Sequence, residues 1–350
     1  MALVQGKMIG NKSATELIAL DNGKFNVKGY CRDRKIIFKN RVSEGHSDVL
    51  SEGSYNAVFK KSKYFVGNSA SGVNAIEGKA EFENLLTTLV AITQLTHKNE
   101  IILVYGESVN FYFDGEHHKK LKKLLKGTHT IEVQGEIREI TIKEVYIFLE
   151  GIGHMFTNYD KNGVGTRVTV DIGGTTMQVF VTTNGAPSEK NSFAFHMGMY
   201  SIRSQVRERF KKELKRAFTP NEVEEYIDKV CTRKNLQAKI NNGFTLDNEE
   251  QVKYENSLLR NTQMINIIES VIREQLKDLD RELAEINNFS LKTRDEVFFV
   301  GGTSVQIAEY IKEHYKEDYV HVNVLKDGLF STVKGYYAYG LMLLKANEVR

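Results

Sequence analysis

Apolar residues recur along this chain in two periods, and the switches between them mark the elements. Residues 16–42 alternate, with breaks at Asn22-Gly23 and Arg32-Asp33-Arg34, which predicts three successive antiparallel strands. Residues 45–79 scatter Gly, Ser and Asn among short apolar pieces such as Tyr64-Phe65-Val66-Gly67 and read as surface loops and short strands. Phe82, Leu85, Leu86, Leu89, Val90, Ile92 and Leu95 then fall at helical spacing over 81–97, an amphipathic helix for packing on a sheet. A buried strand over 101–106 follows, and residues 128–136 and 137–149 form a hairpin around Gly135-Glu136. The basic run from His117 to Lys126 carries Leu121, Leu124 and Leu125, so it reads as a solvated helix face and not a nucleic-acid site.

Helical spacing dominates the second half. Ile202, Val206, Phe210 and Leu214 stay in register through 199–217, and Thr219-Pro220-Asn221-Glu222 has the Thr, Pro and Glu of a helix start. Residues 249–286 predict one or two helices whose buried face carries Tyr254, Leu258, Met264, Ile267, Ile268, Val271, Ile272 and Leu276, a stripe too irregular for a coiled coil. A strand is expected over 319–324. A last helix over 332–344 is studded with Gly and Ala, small enough on its faces to cross a hinge and return to the first half.

Three stretches carry candidate chemistry. Over 167–181 a buried strand ends on Asp171, turns through Ile172-Gly173-Gly174-Thr175-Thr176 and returns as a second strand. That places a carboxylate beside bare backbone N–H groups, a geometry suited to Mg²⁺ and phosphate together, although an ordinary Gly-rich hairpin reads the same way locally. Residues 17–30 repeat the plan: an apolar strand, Asp21, then Asn22-Gly23-Lys24-Phe25-Asn26 and an alternating strand. Repetition at this distance suggests two related half-molecules facing each other, which would clamp one nucleotide between them. Lys24 could reach a β- or γ-phosphate or could be a solvated turn lysine. The third stretch is the strand 297–300, then Gly301-Gly302-Thr303-Ser304 and a helix over 305–311, where missing side chains leave room for a nucleoside.

In this order and spacing the three stretches resemble the phosphate-1, phosphate-2 and adenosine signatures of the actin, sugar kinase and DnaK-type chaperone ATPase superfamily. The length and the run from Leu20 to Lys28 are most similar to the ParM group of bacterial plasmid-partition actins. The resemblance implies an α/β, actin-like (ribonuclease H-like, duplicated) fold of two domains with the nucleotide in the cleft between them. Domain I would take 1–165 and 331–350, and domain II 166–330. It implies ATP or GTP as nucleotide and Mg²⁺ held by Asp21 and Asp171. Asn22, Gly23, Lys24, Phe25, Asn26, Gly173, Gly174, Thr175 and Thr176 would grip the phosphates, while Gly301, Gly302, Thr303 and Ser304 would face the nucleoside. Glu150, where the chain leaves its strand toward the second domain, takes the role of orienting the attacking water, beside Asp171 as catalytic; a helix N-terminal acid is the plainer reading of that residue.

Such hydrolysis rests on placing water, metal and phosphates, with no covalent nucleophile. The function implied is an ATPase that polymerises into filaments with itself and segregates plasmid DNA through a DNA-binding adaptor at filament ends. A small-molecule kinase of the same superfamily is the alternative; it would need an Asp base after the first hairpin, which is not seen. A DnaK-type chaperone would need a substrate-binding tail, and an MreB-like cell-shape protein usually carries an amphipathic membrane segment, found at neither end.

Composition changes this picture little. With 350 residues, 41% hydrophobic and 27% charged, the chain can bury the cores of two domains. Its two cysteines, Cys31 and Cys231, suggest neither a disulfide framework nor a zinc site, which favours a reducing cytoplasm. The opening residues 1–8 lack an apolar leader, and no run approaches the ~20 apolar residues of a membrane span. A net charge of +3 gives no field strong enough to argue for direct DNA binding, and no direct contact with nucleic acid is expected.

Overall fold

Two sheets with separate cores carry the chain. The structure is a computed structural model that describes residues 15–71, 79–157, 165–184, 186–286, 289–294, 296–316, 322–325 and 329–348. The expectations for residues 1–8 and for the start of the strand at 319–321 lie outside them. The first half runs β1 (Thr15–Asn22), β2 (Asn26–Cys31), β3 (Arg34–Lys39), β4 (Val42–Glu44), β5 (Ser54–Phe59), β6 (Ser62–Gly67), α1 (Phe82–Leu95), β7 (Glu100–Glu107), α2 (Val109–Tyr112), α3 (Gly115–Leu125), β8 (Gly127–Val133), β9 (Glu136–Leu149) and α4 (His154–Thr157). The second runs β10 (Thr166–Ile172), β11 (Met177–Thr183), β12 (Ala186–Pro187), β13 (Phe193–Phe195), α5 (Met199–Glu213), α6 (Pro220–Asn241), α7 (Asn248–Asn256), α8 (Thr262–Glu285), β14 (Glu296–Val300), α9 (Gly302–Gln306), α10 (Ala308–His314), β15 (Val322–Val324) and α11 (Ser331–Glu348).

The first sheet has the order β3-β2-β1-β7-β9-β8-β5-β6-β4, and the second β12-β11-β10-β14-β15 with β13 on β11. The repeat seen in the sequence is topological. β1 pairs antiparallel with β2 and parallel with β7, which is parallel to β9; β10 pairs antiparallel with β11 and parallel with β14, which is parallel to β15. β1 is buried along nearly its whole length because helices cover both faces of a parallel centre, whereas β2, nearer the edge, alternates.

Each half packs its own core. Leu85, Leu86, Leu89 and Ile92 of α1 lie against Ile18, Leu20 and Leu103, while Ile268, Val271, Ile272 and Leu276 of α8 pack with Val168, Val170 and Phe299. Leu121 and Leu125 of α3 are fully buried, so the basic run is a solvated helix face. Thr219 and Glu222 form a reciprocal capping box at the start of α6, with Pro220 in the first turn.

Some expectations shift. The stretch 249–286 takes the two-helix form of its expectation, α7 and α8, because Asn261 accepts from the amide of Met264 and starts the second helix. Leu258 lies in that break and is exposed, not part of the buried face. The short strands within 45–79 form a hairpin, β5 with β6, that joins the main sheet through β8. The helix after the double glycine is split into α9 and α10 at Ile307.

The last helix returns to the first sheet. A third core joins Leu17, Ala19 and Val104 with Val333 and Tyr336 of α11 and with Phe180 of the second sheet. Gly335 makes this possible: a methyl group there would overlap the backbone carbonyl of Gly153. Gly335→Ala is therefore expected to cost about 3 kcal/mol or more, read as a lowered urea midpoint, because both partners are backbone and neither can rotate away.

Candidate functional site

The two Asp-Gly hairpins face each other across one cleft, and each turn is built the same way. Gly23 N–H donates to Asn26 O at 3.0 Å, and Gly173 N–H donates to Thr176 O at 2.9 Å. Asn40 anchors the first turn through Nδ2 to Gly23 O at 2.9 Å, and its N–H donates to Phe25 O at 3.0 Å. The start of α5 anchors the second: Met199 N–H donates to Gly173 O at 3.1 Å and Tyr200 N–H to Gly174 O at 2.7 Å. Phe25 packs against Gly174, so the tips of the two turns touch.

The cleft has a volume of about 360 Å³, in the range of ligand sites. Asp21, Asn22, Gly23, Lys24, Phe25 and Asn26 line it from one side, and Asp171, Gly173, Gly174, Thr175 and Thr176 from the other. Glu150 reaches it from the end of β9, and Gly301, Gly302 and Thr303 from the end of β14. Ser304 is the exception, buried inside α9 and away from the lining. Asn22 lines the cleft, but its side-chain amide is turned into α1, donating to Asn84 O at 3.1 Å and Thr87 Oγ1 at 2.9 Å. What it offers a ligand is backbone.

Thr303 Oγ1 donates to Gly173 O at 2.8 Å and ties the third stretch to the second turn. Gly301 has φ +90°, and a methyl group there would overlap Asp171 Oδ1 and the carbonyl of Ile172.

Charge at the inner end of the cleft is crowded and negative. The acids Asp21, Glu150 and Asp171 meet the ammonium groups of Lys28 and Lys79. Lys28 Nζ donates to Asp21 Oδ2 at 2.9 Å. Lys79 Nζ donates to Gly106 O at 2.7 Å and to Glu150 Oε1, and lies 3.7 Å from Asp21 Oδ1. Gln178 Nε2 donates to Glu150 Oε2 at 2.8 Å, while its Oε1 accepts from Val109 N–H at 3.0 Å.

Burial alone would push the Asp21 carboxyl up, but Lys28 and Lys79 hold it below its ordinary value. Burial dominates at Glu150, pushed up to about 7 against the pull of Lys79, and at Asp171, pushed up to about 6 against that of Lys28. The three acids thus resist being charged together. Asp171 in particular is half-buried, and no described side chain hydrogen-bonds to it.

This donor set fits a magnesium ion of one kind. No group of three or more His, Cys, Asp or Glu converges to hold a metal among the described residues. A pair of carboxylates beside two glycine turns would suit an ion that keeps most of its water and bonds only one or two carboxylates. A divalent cation would also relieve the excess of acid.

Sequence reading did not assign Lys28, Lys79, Glu107, Gln178, Arg203, Glu224, Asp228 or Gln306, all of which line the cleft. Lys28 had a signal: it alternates with the buried Val27 and Gly29 on β2 and pairs with Asp21 across the hairpin. Arg203 pairs with Glu224 at 2.6 Å and Gln306 donates to Asp228, contacts between α5, α6 and α9 that no local pattern announces.

The family of actin-like protein N-terminal domains matches residues 19–153. No curated protein matches the chain. Among solved structures, an archaeal actin homolog, Ta0583, is similar over 93% of this chain and 99% of its own at 17% identity and a TM-score of 0.72, and it has also been solved in complex with ADP. The apo pSK41 ParM protein covers 96% of this chain and 100% of its own at 16% identity, with a TM-score of 0.67. An Alp12 filament covers 95% and 100% at 19% identity, with a TM-score of 0.65. The chain has the actin-like fold.

Proposed function

We propose that this actin-like chain binds and hydrolyses a nucleoside triphosphate in the cleft and assembles with itself into filaments while the triphosphate is bound. The observation that carries the reading is the meeting of two equivalent Asp-Gly turns from two sheets, with Glu150 at their inner end. Backbone N–H groups of the two turns, other than those of Gly23 and Gly173 that close the turns themselves, receive the phosphates, with Lys28 and Lys24 adding charge. Asp21 and Asp171 hold the hydrated Mg²⁺, which when bound neutralises charge on the phosphates. Glu150 accepts a hydrogen bond from the attacking water and aims it at the terminal phosphorus. Thr303 and the bare backbone of Gly301 and Gly302 leave space for the nucleoside, bordered by Gln306 and Asp228.

Residues 1–165 with 331–350, and residues 166–330, are the two bodies that close on the terminal phosphate. Closure presents a surface complementary to the next molecule, a head-to-tail contact that extends instead of closing. Filament-forming structures among those of the same fold support this reading. In a plasmid-partition role a small DNA-binding adaptor captures the filament ends, and the nearly balanced charge of this chain leaves the DNA to that adaptor. Among the described residues no helix is long and apolar enough to cross a membrane.

Sedimentation at micromolar concentration with ATP, GTP, a non-hydrolysable analogue, ADP or no nucleotide tests the reading. The expected result is a pelleted polymer with triphosphate and Mg²⁺ and loss of polymer as phosphate is released. A chain that stays monomeric or dimeric throughout, yet phosphorylates a small acceptor, would be a kinase instead.

A further inference from the structure

Lys79 belongs to none of the three signature stretches, and its side chain is nonetheless among the most constrained in the cleft. It enters from the segment just before α1, is 7% exposed, and spends its ammonium on Gly106 O, on Glu150 Oε1 and on the neighbourhood of Asp21 Oδ1. The ring of Tyr105 lies behind it, 5.5 Å from Nζ to centroid. The other oxygen of Glu150 is taken by Gln178 from β11 of the second sheet. Glu150 is therefore clamped by two donors, one contributed by each half of the molecule. Gln178 is itself fixed by the N–H of Val109.

We propose that Lys79 is a positioning residue for hydrolysis: it holds the Glu150 carboxylate toward the cleft and, through Asp21, couples the water end of the site to the metal end. This rests on the nucleotide-hydrolase reading above. A buried ammonium suits the task because a carboxylate with only the Gln178 amide as partner would be free to turn toward solvent, and because the cleft holds more acids than bases. Each Glu150 oxygen retains a lone pair after these two bonds, so the clamp leaves room for the water it is meant to aim. Since one donor lies in each half, the carboxylate reaches this geometry only when the two halves are in register.

Lys79→Met keeps the aliphatic stem and removes the charge, and Lys79→Arg restores a charge in different geometry. Lys79→Met is expected to lower kcat about tenfold to a hundredfold, leave the affinity for a non-hydrolysable analogue within about threefold, and have no further effect on kcat in a Glu150→Gln background. Lys79→Arg is expected to recover part of the rate. An unchanged kcat in Lys79→Met, or losses that multiply in the double variant, overturns the proposal, as does a matched loss of affinity and rate. Crystal structures of Lys79→Met and of the milder Lys79→Gln supply a readout independent of turnover. Glu150 displaced from Gln178 supports the role; Glu150 unmoved overturns it. Should the unaltered chain hydrolyse no triphosphate, the function proposed above fails, and the crystallographic arm alone decides whether Lys79 positions Glu150.

Discussion

Asp171→Ala is expected to abolish Mg²⁺-dependent turnover, to below roughly a thousandth of the unaltered rate, while the chain still folds. The side chain sits at the mouth of the β10–β11 hairpin, half-buried and without a hydrogen-bond donor among the described side chains, so little native structure depends on it. Its raised pKa gives the stability side of the prediction a sign. A carboxyl lifted from 3.8 to about 6 by burial binds protons more tightly folded than unfolded, so it destabilises the fold as pH rises from about 4 through 6. In buffer without metal or nucleotide, Asp171→Ala should thus be at least as stable as the unaltered chain at pH 7.5, by something on the order of 1 kcal/mol, and that advantage should vanish below pH 4. Urea titrations at both pH values, beside a phosphate-release assay, check the two parts. Near-normal turnover would remove Asp171 from the site.

Glu150→Gln is expected to slow hydrolysis by roughly 10²-fold or more with nucleotide affinity largely kept, because an interaction with the attacking water counts chiefly in the transition state. The substitution preserves shape and still lets Gln178 donate to the remaining carbonyl. It leaves Lys79 with Gly106 O and the more distant Asp21, so a modest fall in the denaturation midpoint should accompany the loss of rate. Filaments of this variant should assemble with triphosphate and then persist, which light scattering over time would show. Binding and rate falling together would make Glu150 a structural residue.

Alternation and helical spacing were enough to place β1, β2 and β3, the helix α1, and the hairpins β8–β9 and β10–β11, because in each case one face is buried and the periodicity records it. The capping box at Thr219 was legible for the same local reason: its partners are three residues apart. So were the two turns, since glycine two residues after an acid at the end of an apolar strand is a local signature, and the resemblance drawn from them anticipated the actin-like fold. What the sequence could not carry is any relation whose partners are far apart along the chain. Leu258 looked apolar and in register, yet α7 ends at Asn256 and α8 starts only after the cap at Asn261, so Leu258 falls in the break between them and is exposed. Lys79 and Gln178 are isolated polar residues with no motif around them, and only the packing of β7, β9 and β11 around one cleft brings them to the two oxygens of Glu150. The raised pKa of Asp171 is likewise a matter of burial in the fold, which the residues beside it in the chain do not record. Local periodicity decided which elements form and where the turns lie; the juxtaposition of the two halves decided which side chains share a site and which of them hold charge, because burial and Coulomb forces act across space and not along the chain.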